Sequence, residues 1–69
     1  MKIKTTEERI CYNKTKEALR YLVNVPEHLK TRKTVYELVK PIVEEFTGKI
    51  GIERMTKIFD KAIKKVVNE

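Results

Sequence analysis

The sequence of 69 residues predicts an all-α protein, a small three-helix bundle that forms one domain over residues 1–69. Three stretches carry apolar residues at intervals of three and four, the spacing that gives a helix one buried face. Short segments rich in turn-forming residues separate them, and a chain of this length holds only one hydrophobic core. We therefore expect helices over residues 6–23, 34–47 and 52–67.

The first predicted helix, residues 6–23, opens with a capping box. Thr5 and Glu8 are spaced so that each side chain can accept a hydrogen bond from a backbone amide that the helix leaves free. From Cys11 onward an apolar stripe recurs every three or four residues. Pro26 prevents the helix from continuing, because the residue before a proline avoids helical backbone angles.

The connection over residues 24–33 allows two interpretations. Pro26 is tolerated at a first helical position and can begin one helical turn through Leu29. Alternatively, residues 20–25 form a strand that enters a helix, as in dimeric ribbon-helix-helix proteins. The long stretch that follows contains Pro41, which argues against that pattern.

The second predicted helix, residues 34–47, begins at another capping box, formed by Thr34 and Glu37. Gly48 is the expected end, because glycine readily adopts the backbone angles that stop a helix. Pro41 lies inside and removes one backbone donor. We expect a kink there and not two separate helices, since neither neighbour of Pro41 is a good cap.

The third predicted helix, residues 52–67, places most of its apolar residues on one face. The second helix is apolar over nearly half its circumference, which is more than two neighbouring helices cover. The excess predicts a homodimer or another protein partner, because exposed aromatic and aliphatic side chains dominate the energy of interfaces. The expected contact residues are Tyr36, Val39 and Val43.

Basic residues are unevenly distributed along the chain. There are 16 Lys and Arg against 10 Asp and Glu, a formal net charge of +6 at pH 7. The net charge is +5 over residues 1–33, −2 over residues 34–48 and +3 over residues 49–69. The second helix is therefore an acidic element between two basic ones.

Some of these charges have partners four residues away, as in Glu53–Lys57 and Asp60–Lys64, and others have none. Like charges stacked along a helix repel, whereas a polyanion stabilises them and releases its counterions. We therefore predict a nucleic-acid-binding surface on the first and third helices and the segment between the first two. Its members are Arg9, Asn13, Lys16, Arg20, Lys30, Arg32, Lys33, Arg54, Lys57, Lys61 and Lys64.

These observations predict a DNA- or RNA-binding regulator or accessory factor, with DNA favoured and no cofactor required. Asn13 and Arg54 are the expected base-reading residues, and a helix-turn-helix formed by the last two helices is one possible arrangement. The alternative is a protein-interaction module, such as an adaptor, inhibitor or antitoxin-like helical unit, without a nucleic-acid role.

The sequence offers little support for catalysis or metal binding. His28 is the single histidine, in a loop, and Cys11 is the single cysteine, on a predicted buried face. Nucleophilic catalysis needs a nucleophile, a base and an orienting group that converge. One cysteine also excludes an internal disulfide and a cysteine-based zinc site. We expect no catalytic residue and no metal ligand.

The expected location is cytoplasmic, without membrane association. The longest apolar run is three residues, too short to cross a bilayer, and residues 1–4 do not begin a signal-peptide core. The chain has no Ser or Gln and three Asn. This composition resembles that of proteins from hot environments, which avoid labile amides.

Overall fold

Three α-helices and one 3-10 turn make up the fold in the computed structural model of this chain, which describes residues 2–69. Helix α1 spans Thr6–Asn24, α2 spans Arg32–Ile50 and α3 spans Ile52–Val67, and the 3-10 turn Glu27–Leu29 joins α1 to α2. The described residues contain no strand. The prediction of an all-α three-helix bundle is therefore confirmed, and the strand alternative for residues 20–25 is wrong.

Helix α1 begins at the predicted cap. The Thr5 hydroxyl accepts a hydrogen bond from the Glu8 amide at 3.1 Å. The Glu8 carboxylate accepts its backbone hydrogen bond from the Lys4 amide at 2.8 Å, one residue before the position that a capping box uses. The start of the helix is thus confirmed, with a small change in the reciprocal bond.

Helix α2 begins earlier than predicted, at Arg32. Thr31 is the cap, and its hydroxyl accepts a hydrogen bond from the Thr34 amide at 3.2 Å. The Thr34 hydroxyl lies 3.1 Å from that of Thr31 and does not cap a helix of its own. The predicted start at Thr34 was wrong because the structure does not use the Thr34–Glu37 capping box; Thr31, which has no glutamate three residues later, caps the helix through its hydroxyl alone.

Helix α2 also ends later than predicted. It runs without interruption through Pro41, as one helix, and through Gly48, which was wrongly expected to end it. The helix stops at Gly51, whose φ of +81° and ψ of 154° suit glycine alone. This residue is the whole connection: its amide donates to the Thr47 carbonyl at 3.1 Å, and its carbonyl accepts from the Met55 amide at 3.0 Å.

The core lies where α1, the second half of α2 and α3 meet. Phe46, Ile58 and Cys11 are almost completely shielded from solvent, with exposures of 1%, 0% and 0%. Tyr12, Ile42, Met55 and Ala62 complete this buried cluster. Close packing at this end fixes how the three helices face one another.

The other end of the bundle, where α1 and α3 finish and α2 begins, is more open. Val23 and Val67 are 61% and 74% exposed. An apolar recess of about 150 Å³ lies between the helices there, with Val39, Phe59 and Ile63 among its lining residues. We call this region the open end. No helix within residues 2–69 has both the length and the apolar character needed to cross a membrane.

The two glycines of the α2–α3 segment provide a matched test of this geometry. Gly51→Ala places a Cβ at a positive φ and is expected to lower the free energy of unfolding by about 1 kcal/mol or more. Gly48→Ala lies within α2, with no atom within 4 Å of the new Cβ, and is expected to raise it by about 0.5–1 kcal/mol. Urea unfolding followed by circular dichroism measures both; equal effects would contradict the assigned helix end.

Candidate functional site

The predicted cationic residues fall into three groups in the structure. Five of them lie along one side of α1 and α3: Arg9, Lys16, Lys57, Lys61 and Lys64. Three others are held by carboxylates outside that set: Arg20, Lys30 and Arg54. Arg32 and Lys33 are exposed in the first turn of α2.

Tyr12 lies at the centre of the first group. Its ring centroid is 4.5 Å from Lys16 Nζ, 5.9 Å from Lys61 Nζ and 6.0 Å from Arg9 Cζ. The negative face of an aromatic ring attracts cations, which favours this gathering of positive groups. Within residues 2–69, no carboxylate lies within 4 Å of these three side chains. Their positive charges are therefore not neutralised by an ion pair within these residues.

An open groove of about 720 Å³ runs from Tyr12 along α3, and a second recess adjoins it on the other side of the ring. We call the two together the Tyr12 groove. Its basic lining residues are Lys2, Arg9, Lys57, Lys61, Lys64 and Lys65. Asp60 is the one acid among the described lining residues, and it binds Lys64 at 3.0 Å. The groove is therefore strongly positive.

Arg54, one of the two predicted base readers, is part of the fold. Its Nε donates to Glu8 Oε2 at 2.9 Å and its Nη2 to Glu8 Oε1 at 2.7 Å, with a further bond from Nη2 to the Lys2 carbonyl at 2.9 Å. The hydrogen bond from Arg54, aided by that from the Lys4 amide, lowers the pKa of Glu8 to about 2. The structure therefore gives no support to base reading by Arg54.

Arg20 is held in a similar way by Glu69. Its Nε and Nη2 donate to the two carboxylate oxygens at 2.8 and 2.7 Å. These hydrogen bonds lower the pKa of Glu69, and the charges of Lys65 and Lys16 lower it further. Both partners are partly exposed. The pair joins the end of α1 to the end of the chain, and Arg20 does not line the Tyr12 groove.

One of the two ion pairs predicted within α3 forms in the structure, and the other does not. Asp60 and Lys64 form theirs, whereas no pair between Glu53 and Lys57 lies within 4 Å in the part of the chain that the structure describes. The ammonium group of Lys57, which lines the groove, is therefore not neutralised by Glu53. The predicted helix-turn-helix has no support either, because a single residue joins α2 to α3 where that motif uses a turn of three or four.

The remaining predicted residues lie outside the groove. Asn13 is exposed on α1, and Lys30 contacts Glu27 at 3.5 Å. The predicted interface on α2 is mostly turned inward. Tyr36 is 61% exposed, but Val43 packs against the core and Val39 lines the apolar recess.

Cys11 and His28, the residues considered for catalysis and metal binding, do not line the cationic groove. In residues 2–69, no group of three or more His, Cys, Asp or Glu side chains is placed to hold a metal ion. Cys11 is fully buried, and burial raises the pKa of its thiol. His28 is exposed in the 3-10 turn.

No protein-family model matches this chain, and neither the curated proteins nor the solved structures contain a significant match to it.

The Glu8–Arg54 pair predicts a pH-dependent contribution to stability. The folded-state pKa of Glu8 lies below its ordinary value of 4.5, so the stabilisation is complete above about pH 4.5 and is lost as the pH falls towards 2. We expect Glu8→Gln to lower Tm by several degrees at pH 7 and to have little effect at pH 2. Glu7→Gln, at an exposed neighbour, is the control; equal losses in both variants at pH 7 would argue against the pair.

Proposed function

We propose that this protein binds nucleic acid through the Tyr12 groove, by contacts to the phosphate backbone. The observation that carries the proposal is the gathering of six basic side chains and one acidic side chain along an open groove of α1 and α3. Cations that approach one another in this way repel in the free protein. A polyanion removes that repulsion and releases its own counterions, which makes binding favourable and salt-dependent.

The dimensions of the groove suit a nucleic-acid strand. Lys57 and Lys64 are separated by about 10 Å along α3 at the helical rise of about 1.5 Å per residue. Phosphates follow one another at about 3.4 Å along the axis of a DNA strand, so this row of lysines spans about three of them. Arg9 and Lys16 extend the positive surface onto α1.

The groove favours backbone contacts over base reading. Arg54 is bound to Glu8, and Tyr12 is only 6% exposed, so its ring is not available to stack on a base. Phosphate contacts position a protein on a duplex but carry no sequence information. We therefore propose an accessory factor that binds duplex DNA without strong sequence preference, and not a site-specific regulator.

Paired lysine substitutions test the groove. Lys57→Gln/Lys61→Gln is expected to weaken binding to a random-sequence duplex roughly tenfold and to reduce the slope of log K against log salt by about 2. The control is Lys40→Gln/Lys49→Gln, which removes the same charge from exposed positions on α2. Fluorescence anisotropy between about 50 and 200 mM salt measures both. Equal losses in the two variants, or no binding by the wild type at the lowest salt, would contradict the proposal.

A second candidate function, protein interaction, rests on the open end of the bundle. A shallow recess of about 240 Å³ there is lined almost entirely by apolar side chains, and Lys30 is its one charged lining residue. Val23, Ile63 and Val67, which line it, are 61%, 46% and 74% exposed. Burying such a surface against a second copy of the chain is favourable, so we propose a homodimer that forms through this end.

Sedimentation velocity over a range of concentrations tests the dimer. Val67→Glu places a charge in the exposed apolar surface and is expected to shift the protein towards monomer. Ile52→Glu, at a residue that is 65% exposed at the opposite end of α3, is expected to leave association unchanged. Val43→Glu is less suitable, because Val43 packs against the core. A wild-type protein that stays monomeric at high concentration would overturn the dimer.

A further inference from the structure

Tyr12 carries a hydrogen-bond donor that has no partner among the described residues 2–69. The side chain is 94% buried by the helices and by the cations around it, leaving 6% exposed. Among residues 2–69, its hydroxyl has no hydrogen-bond partner, and no completely buried side-chain nitrogen or oxygen lacks one. The hydroxyl therefore reaches the surface, and Tyr12 lines both recesses of the groove.

The cations around Tyr12 come from two helices. Arg9 and Lys16 lie one turn before and one turn after it on α1, and Lys61 reaches it from α3. Asp60, the acid in the groove lining, is bound to Lys64. Three positive charges thus lie within 6.0 Å of the centroid of one tyrosine ring, and none of them forms an ion pair with a carboxylate of residues 2–69. Together with the hydroxyl of that ring, they suit an anion with several acceptor oxygens.

We propose that the Tyr12 hydroxyl and the cations of Arg9, Lys16 and Lys61 form a discrete phosphate-binding site where Tyr12 meets the groove. Arg9 and Lys61 line the groove, and Lys16 lies beside it on α1. This inference rests on the proposed function, since the phosphate is a phosphodiester of the bound nucleic acid. The hydroxyl donates a hydrogen bond to a non-bridging oxygen, and the three cations neutralise the charge. Because a hydrogen bond is directional and the lysines elsewhere in the groove are mobile point charges, this site fixes one phosphate while its neighbours are held loosely.

Tyr12→Phe tests the site because it removes only the hydroxyl and keeps the ring that packs in the core. We expect its affinity for duplex DNA to fall about tenfold, the low end of the effect of removing a hydrogen bond to a charged group. The salt slope stays unchanged because no charge is removed. The Tm also stays unchanged because the hydroxyl has no hydrogen-bond partner among residues 2–69. Tyr36→Phe, on the exposed part of α2, is the control and is expected to bind as the wild type does.

Tyrosine ring ¹³C NMR gives a second, independent measurement on the wild-type protein. The Cζ resonance of Tyr12 is expected to shift on titration with duplex DNA and, more weakly, with inorganic phosphate. Tyr21 and Tyr36, both largely exposed, serve as internal references and are expected not to shift.

The outcomes separate this inference from the function on which it rests. If Tyr12→Phe binds duplex as well as the wild type, the discrete site is wrong while groove binding of nucleic acid stands. If inorganic phosphate shifts the Tyr12 Cζ resonance but the protein does not bind duplex DNA, nucleic acid is the wrong ligand. The proposed function and the phosphodiester site at Tyr12 are then both wrong. If neither ligand shifts Tyr12, the phosphate site is overturned.

Discussion

The ion pair between Glu8 and Arg54 sets the register on which the rest of the structure depends. It is nearly buried, with side-chain exposures of 7% and 25%, and such a pair is stable only when further hydrogen bonds satisfy its members. The Lys4 amide and the Lys2 carbonyl supply those bonds. Helices α1 and α3 run in the same direction, so joining residues 8 and 54 brings residue 61 level with residue 15. Lys61 on α3 consequently reaches Tyr12 on α1, with its Nζ 5.9 Å from the ring centroid, so the alignment brings the cations of the two helices together at the groove.

Two arginines of the chain, Arg20 and Arg54, hold distant segments together. Arg54 and Arg20 each present two parallel N–H groups to a carboxylate from a distant part of the chain. The planar guanidinium suits this bidentate geometry, whereas the ammonium of lysine is a flexible point charge. The groove is accordingly lined mainly by lysines, which need no fixed geometry to neutralise phosphates. The charge that holds the helices together and the charge available to a partner are therefore carried by different residues.

Sequence reasoning succeeded where the signal is local and failed where it depends on register between helices. Helix α3 has the predicted bounds because its apolar period is strong. Both predicted ends of α2 were wrong. The helix starts after Thr31, which lacks the glutamate of a capping box, and it stops at Gly51, which only its positive φ distinguishes from Gly48. Arg9, Lys16 and Tyr12 share one helix, so their proximity follows from helical spacing. The Glu8–Arg54 pair joins residues 46 positions apart, which no periodicity within one helix reveals.

The two candidate functions use separate surfaces and reinforce one another. The Tyr12 groove follows the sides of α1 and α3, while the exposed apolar residues gather at the open end. A symmetric dimer formed through that end carries two grooves on one particle. When both grooves reach the same duplex, the second binding step is intramolecular, and its effective concentration raises the overall affinity without any new contact. Two grooves that each contact only phosphates would then give the dimer a higher affinity for DNA than one domain has alone.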